Sequence, residues 1–300
     1  MNLYINSILD LHKNWGLKAP KHPLISVVQI NAKANIAMES SYATVIGFYC
    51  ICIKKNGNRL RYGQSYYDFN SGVMSFLSPH QVLEYEEKGP QNTGDISLVF
   101  HPDFLRGFPL AATMRNYNFF SYGVNEALHL SAEEEETVQA IFNNIEKEYH
   151  SAIDNNSQKI IITQIELLLQ YADRFYNRQF IMRKIANDEI LTRLEFLLAD
   201  YIDGDKIHTI GLPTVQYLAK ELAVSADYLS DALRSVTGQN TQQHIHNKLI
   251  EKAKILLSTT NLSVKEIAYE LGFEYPQSFH KLFKNKTYLS PMKFRKSFYS

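Results

Sequence analysis

The chain has 300 residues, room for two average domains, and a composition of 45% hydrophobic and 21% charged residues excludes wholesale disorder. Its 31 basic and 31 acidic residues cancel, which taken alone speaks against a nucleic-acid partner. The run Tyr42–Ile53 has 12 residues, too short for a membrane helix of about 20.

Met1 to Asn6 lacks the basic stretch, long apolar run and cleavage site of a secretory signal. Cys50 and Cys52 are too few for a disulfide framework. They sit at i and i+2 of a strand-like run, so both point to one face and are expected as core residues rather than a redox pair. A reduced, cytoplasmic protein is expected, with no membrane partner.

From about Leu24 to Phe104 the pattern is strand-like. Tyr42–Ile53 is β-branched and aromatic and ends at the turn 54–58. Arg59–Phe69 follows with aromatic alternation, then the short candidates Val73–Leu77 and Ile96–Phe100. Short strands at this spacing predict a sandwich or barrel. Tyr62, Tyr66, Tyr67, Phe76 and Tyr85, with Phe69, either line a pocket for a small polar effector or form an ordinary aromatic core.

Ser131-Ala132-Glu133-Glu134 is a capping box ahead of an amphipathic helix. A second helix is expected over Gln158–Phe180. Its Ile161, Ile165, Leu168, Ala172 and Phe175 fall at heptad-type steps. Two readings stay open for that stripe: packing on its own β-domain, or a dimer seam between two chains. A third helix is expected over Glu189–Tyr201.

The charge is not uniform. Residues 207–300 hold twelve Lys or Arg and seven Asp or Glu, a net of +5, leaving 19 basic and 24 acidic residues, net −5, before them. From Tyr275 onward there are six cationic side chains and no carboxylate side chain. A basic end of this kind points to nucleic acid.

In that end, Val215–Ser225 leads into Ala226–Arg234, with Leu218, Leu222, Val224, Leu229 and Ala232 spaced for two short helices crossing over a tight turn. The layout recurs 49 residues on, from Ala219 to Ala268. Ser263-Val264-Lys265-Glu266 caps a helix, Gly272 stands where Ala223 stood, and Pro276 opens a helix burying Phe279, Leu282 and Phe283. Thr241–Ser258 joins the copies as one helix.

The residues Ile267-Ala268-Tyr269-Glu270-Leu271-Gly272-Phe273, then Ser278-Phe279, Phe283-Lys284, Ser290-Pro291 and Phe294-Arg295, resemble the C-terminal domain of the AraC family of bacterial transcriptional regulators. The resemblance covers about 189–298 and implies two recognition helices entering successive major grooves. The earlier part is similar, more loosely, to the cupin-type β-domain and helical linker of many such regulators. The expected fold class is α+β: a cupin-like β-barrel or sandwich over 1–130, a helical linker with the possible seam over 131–188, and an all-α double helix-turn-helix domain over 189–300.

On the second recognition helix the groove-facing set is Gln277, Ser278, His280 and Lys281, with Tyr275 at its start. Lys281 suits guanine O6/N7 and Gln277 suits adenine N6/N7. Lys284, Asn285 and Lys286 suit phosphate. On the first, the corresponding set is Ser225, Asp227, Tyr228, Ser230, Asp231 and Arg234. Asp227 and Asp231 depart from the family pattern, repel phosphate and predict weaker binding by that unit. Tyr288, where the family often has Gly, is a smaller departure.

Expected partners are double-stranded DNA, a small-molecule effector, a second copy of the chain and RNA polymerase. No cofactor or metal is expected: the six histidines before residue 207 include no His-x-His, and His244 and His246 face apart on a helix. A ligand-independent regulator whose β-domain only dimerises is the alternative, and a cupin-type enzyme the remote one.

Overall fold

The structure is a computed structural model and describes residues 3–30, 44–54, 72–83, 95–123, 126–151, 154 and 156–297. The chain divides into two compact units, Met1–Gln179 and Phe180–Ser300.

The first unit opens with β1 (Leu3–Ile5) and α1 (Ile8–Asn14), whose N-cap Ser7 accepts from the Asp10 amide. The strands β2 (Ile25–Ile30), β3 (Thr44–Ile46), β4 (Tyr49–Lys54), β5 (Val73–Leu77), β6 (Val82–Leu83), β7 (Asp95–Phe100) and β8 (Leu128–His129) follow. They form two sheets, ordered β1-β3-β6 and β2-β7-β4-β5-β8. In the larger sheet every pairing is antiparallel; Ile51 stands opposite Leu98 on β7 and Phe76 on β5.

Tyr42–Ile53, expected as one strand, is split. The Gly47 amide bonds the Ile5 carbonyl at 2.9 Å, and after that turn the chain leaves the small sheet for the large one. A Cβ on Gly47 would lie 3.3 Å from Asn6 Cα, so a side chain is disfavoured there. Among the described residues the strands stay two separate sheets, and the expected closed cupin barrel is not seen. Arg59–Phe69 lies outside the described residues.

One core lies on the Cys50 face of the large sheet: Ile8 and Leu11 of α1 and Ile5 of β1 pack with Val28, Ile46, Phe48, Cys50 and Val99. Among the described residues the short α2 (Pro109–Thr113) and three 3₁₀ turns precede β8, and α3 (Ala132–His150) and α4 (Ser157–Met182) follow it. Ser131 and Glu134 make the expected capping box reciprocally. Arg178 of α4 donates to Glu134 at 3.0 Å and to the His129 carbonyl at 2.7 Å, tying α4 to the start of α3.

The heptad stripe Ile161, Ile165, Leu168, Ala172 and Phe175 is wholly buried within the single chain. The seam reading of these five residues is therefore corrected: their faces are already covered, and no apolar surface remains on them for a second copy. Phe76 sits in an aromatic cluster, its ring centroid 4.5 Å from that of Phe119 and 5.5 Å from that of Phe120. That is core packing, not a pocket wall. Tyr62, Tyr66, Tyr67, Phe69 and Tyr85 lie outside the described residues.

The second unit is helical: α5 (Lys184–Asp203), α6 (Lys206–Thr209), α7 (Val215–Glu221), α8 (Ala226–Thr237), α9 (Thr241–Thr259), α10 (Val264–Glu270), α11 (Pro276–Thr287) and α12 (Pro291–Lys296). Its core joins Leu194, Leu198 and Tyr201 of α5 with Leu218, Leu229, Leu233, Leu249, Ala253, Ile267, Phe279 and Phe283. Among the described residues no helix is long and apolar enough to cross a membrane.

Candidate nucleic-acid interface

Each helix pair of the second unit is built by the same local chemistry. Thr214 caps α7 by accepting from the Tyr217 amide at 3.2 Å. Ser263 and Glu266 cap α10 reciprocally, at 2.7 and 3.2 Å. Glu266 is held below the usual carboxylate range, first by the Ser263 backbone amide and then by its hydroxyl.

The turns match bond for bond. After α7, Ala223 adopts φ +58°, its amide bonds Lys220 O at 3.1 Å, and the Val224 amide bonds Ala219 O at 3.0 Å. After α10, Gly272 adopts φ +75°, its amide bonds Tyr269 O at 2.9 Å, and the Phe273 amide bonds Ala268 O at 3.0 Å. Both are left-handed helix ends of the Schellman kind, 49 residues apart.

The recognition helices keep a different offset. α8 begins at Ala226 and α11 at Pro276, and their left-handed caps are Gly238 (φ +73°) and Tyr288 (φ +61°). From turn to helix the spacing grows from 49 to 50, because one extra residue stands between Gly272 and Pro276. Ser225 therefore matches Tyr275, Asp227 matches Gln277, Tyr228 matches Ser278, Ser230 matches His280, Asp231 matches Lys281 and Arg234 matches Lys284. Leu229 and Phe279, and likewise Leu233 and Phe283, are the matched buried pairs.

α11 presents an open polar face. Tyr275, Gln277, Ser278, His280, Lys281, Lys284, Asn285 and Lys286 are all exposed, whereas Phe279 and Phe283 are buried and Leu282 half-buried. Lys286 is the one held in place: its Nζ donates to Asn247 Oδ1 of α9 at 2.9 Å. Asn247 in turn donates to Gln239 Oε1 at 2.7 Å, so α9 links the ends of both recognition helices through polar side chains. Sequence spacing gave no sign of that link, since neither Asn247 nor Gln239 belongs to a motif. His246, half-buried nearby, is held below the usual histidine range by burial and then by the Lys286 charge.

α8 is a different surface. Tyr228 is 4% exposed, its ring 5.2 Å from that of Phe180. Its assignment to the groove face is corrected: an aromatic here folds into the core, where Ser278 of α11 stays outside. Ser225 spends its oxygen on the Tyr228 amide as N-cap, at 3.3 Å. The half-buried Ser230 shares a hydrogen bond with Thr241 at 3.0 Å. Asp231 and Arg234 form an ion pair one turn apart, which neutralises the only cation on this helix; Asp227 is half-buried.

A helix-turn-helix domain family model matches residues 218–297, the stretch that holds both turns and both reading helices. The chain carries an AraC-type helix-turn-helix domain at its C-terminal end. Curated proteins similar to this chain include YfiF of Bacillus subtilis, an uncharacterized HTH-type transcriptional regulator. It is 32% identical over 139 residues, 46% of this chain and 41% of that protein. YijO of Escherichia coli is 29% identical over 103 residues, 34% of this chain and 35% of that protein. The match thus spans less than half the length of either relative. Among solved structures, the C-terminal domain of the response regulator yesN from Fusobacterium nucleatum is 31% identical, covering 37% of this chain and 97% of that one, with a TM-score of 0.30.

Proposed function

We propose that this chain is a cytoplasmic, sequence-specific DNA-binding transcriptional regulator whose AraC-type domain reads major grooves chiefly through α11. The carrying observation is the exposed face of α11, where Gln277, Ser278, His280, Lys281 and Lys284 stand together with no carboxylate side chain after residue 274. Side chains on such a helix meet base edges while flanking lysines neutralise phosphates. α8 enters the neighbouring groove as the weaker partner, because its single cation is already paired.

In this reading the chain acts as a homodimer. On α4 the exposed Ile160 and Leu167, seven residues apart, offer a second copy the apolar surface that the buried stripe does not. The first unit passes a small-molecule signal to the DNA-binding half, which contacts RNA polymerase. The place of Phe76 in the aromatic core favours the plainer alternative, a first unit that only dimerises. A thermal-shift screen against metabolites separates the two, since a bound effector raises the melting temperature.

The decisive experiment selects a binding site from random duplexes with the full chain, then compares variants on it. Lys281→Ala is expected to weaken binding to the selected site by about 1–3 kcal/mol and to relax preference at one position. Unchanged affinity and preference, or failure to select any site, overturns the reading.

A further inference from the structure

Both cysteines of the chain lie on β4. Two residues apart on one strand, they project from the same face, and their Sγ atoms stand 3.3 Å apart. Ser97 of β7, directly opposite Cys52 in the register, brings Oγ to 3.1 Å from Cys52 Sγ. Cys50 is buried against α1 and the small sheet, whereas Cys52 is only half-buried.

We propose that Cys52 and Cys50 form a peroxide-oxidisable dithiol, with Cys52 as the attacking thiolate, Cys50 as the resolving thiol and hydroperoxides as the substrate class. The Cys50 S–H donates to Cys52, and this is the main cause that lowers Cys52 to about 7 against the opposing effect of burial; Ser97 and Lys54 add to it, and Asp95 opposes. The same donation, then burial, pushes Cys50 well up. Cys52 is therefore the sulfur nearer ionisation at neutral pH and the less buried residue of the two, and Cys50 stays protonated beside it. A thiolate with those two properties is the reactive kind.

The chemistry closes without a further reactant. Cys52 S⁻ attacks one peroxide oxygen, the O–O bond breaks, and hydroxide or alkoxide leaves, giving a sulfenic acid on Cys52. Cys50 then attacks the Cys52 sulfur; its S–H proton and the sulfenic hydroxyl leave as water, and the S–S bond forms. Two electrons pass from the thiols to the peroxide.

Geometry makes the product reversible. Residues i and i+2 of an extended strand stand about 6.6–6.8 Å apart at Cα, the upper edge of what a disulfide spans. Closing the bridge must shorten β4, which is paired on both sides, to β5 and β7. That strain favours re-reduction by a thiol. Both cysteines pack into or against the core, as expected; the redox role goes beyond that expectation.

The dithiol can be tested independently of DNA binding, by thiol content and mass alone. The full chain is treated with hydrogen peroxide at neutral pH, free thiols are alkylated, and the intact mass is measured. Both thiols are expected to disappear together with loss of two hydrogens from one chain, and dithiothreitol to restore them; the chain has no other cysteine to confuse the count. Cys50→Ser is expected to stop at a dimedone-reactive sulfenic acid on Cys52. In Cys52→Ser, oxidation of Cys50 is expected to slow at least about tenfold. Oxidation of wild-type protein to sulfinic acid without a bridge overturns the proposal, as do disulfides only between chains or equal reactivity of the two single variants.

Discussion

Gly272→Ala probes the turn on which the second reading helix hangs. A residue with a Cβ at this left-handed φ loses roughly 1–2 kcal/mol, and Ala223 shows that the first turn accommodates one. The surroundings differ. A Cβ on Gly272 would lie 2.9 Å from Ile207 Cγ1, 3.0 Å from Ile207 O and 3.1 Å from the Gly211 carbonyl carbon. The last two are backbone atoms and cannot swing aside, so overpacking adds about 1–3 kcal/mol. The expected loss is roughly 2–5 kcal/mol, a large part of an ordinary domain's stability. Ala223→Gly should instead stabilise, by up to about 1 kcal/mol, through relief of the same strain. Urea unfolding of the full chain followed by far-ultraviolet circular dichroism measures both. The single tryptophan, Trp15, reports the first unit by fluorescence and should not shift. A Gly272→Ala loss below about 1 kcal/mol would refute the crowding by Ile207 and Gly211, since strain alone accounts for that much.

Tyr288→Gly should stabilise the second unit by about 1 kcal/mol, because Tyr288 caps α11 at φ +61° while 89% exposed and so gives up little packing; a thermal melt checks it, and an unchanged or lower melting temperature counts against it. Asp231→Asn releases Arg234 from its ion pair, so DNA affinity should rise and the slope of log K against log salt should steepen by about 0.9. No change in that slope means Arg234 does not reach phosphate. Alkylation of Cys52 depends on the thiolate, so its rate should climb with pH through a midpoint near 7. In Cys50→Ala, which removes the main lowering cause, that midpoint should move up towards about 8.5; a midpoint unmoved by this change refutes the donor role of Cys50.

The C-terminal unit was legible because its signals are local. Ser263 with Glu266, Gly272 and Pro276 are cap, turn and start residues whose roles need no tertiary partner, and the structure places each where the sequence puts it. The failures are tertiary. Tyr228 reads as an exposed helix position until Phe180 is found beside it. The buried stripe of α4 has the same heptad period whether its cover is the chain's own unit or a second chain, so periodicity cannot choose. The i, i+2 spacing puts Cys50 and Cys52 on one strand face, but only the register opposite Ser97 shows that Cys52 has a polar neighbour. Tyr42–Ile53 reads as one strand because the bond from Gly47 to Ile5 spans 42 residues and leaves no mark in the local pattern.

The one-residue difference between the two helix-turn-helix copies bears on how they share the work. Aligned from their turns at an offset of 49, Asp231 would match His280; aligned from their helices at 50, it matches Lys281. Only the second alignment sets carboxylate against ammonium at the same position of the reading face. In the proposed reading the charge difference then falls on the place where a side chain would meet base edges, not merely on the flanks. Phosphate neutralisation sets affinity and salt dependence, while base contacts set sequence preference. α8 carries two carboxylates and one paired arginine, so it adds little to the first term, and Asp231 can add to the second only where its ion pair with Arg234 opens. In the proposed reading α11 supplies both terms from Lys281, Lys284 and Gln277. A site selected by the full chain should therefore show one strongly specified groove and, about 10 base pairs away, one weakly specified groove, with preference relaxed at one position of the strong groove in Lys281→Ala and overall affinity raised, with the strong groove's preference unchanged, in Asp231→Asn.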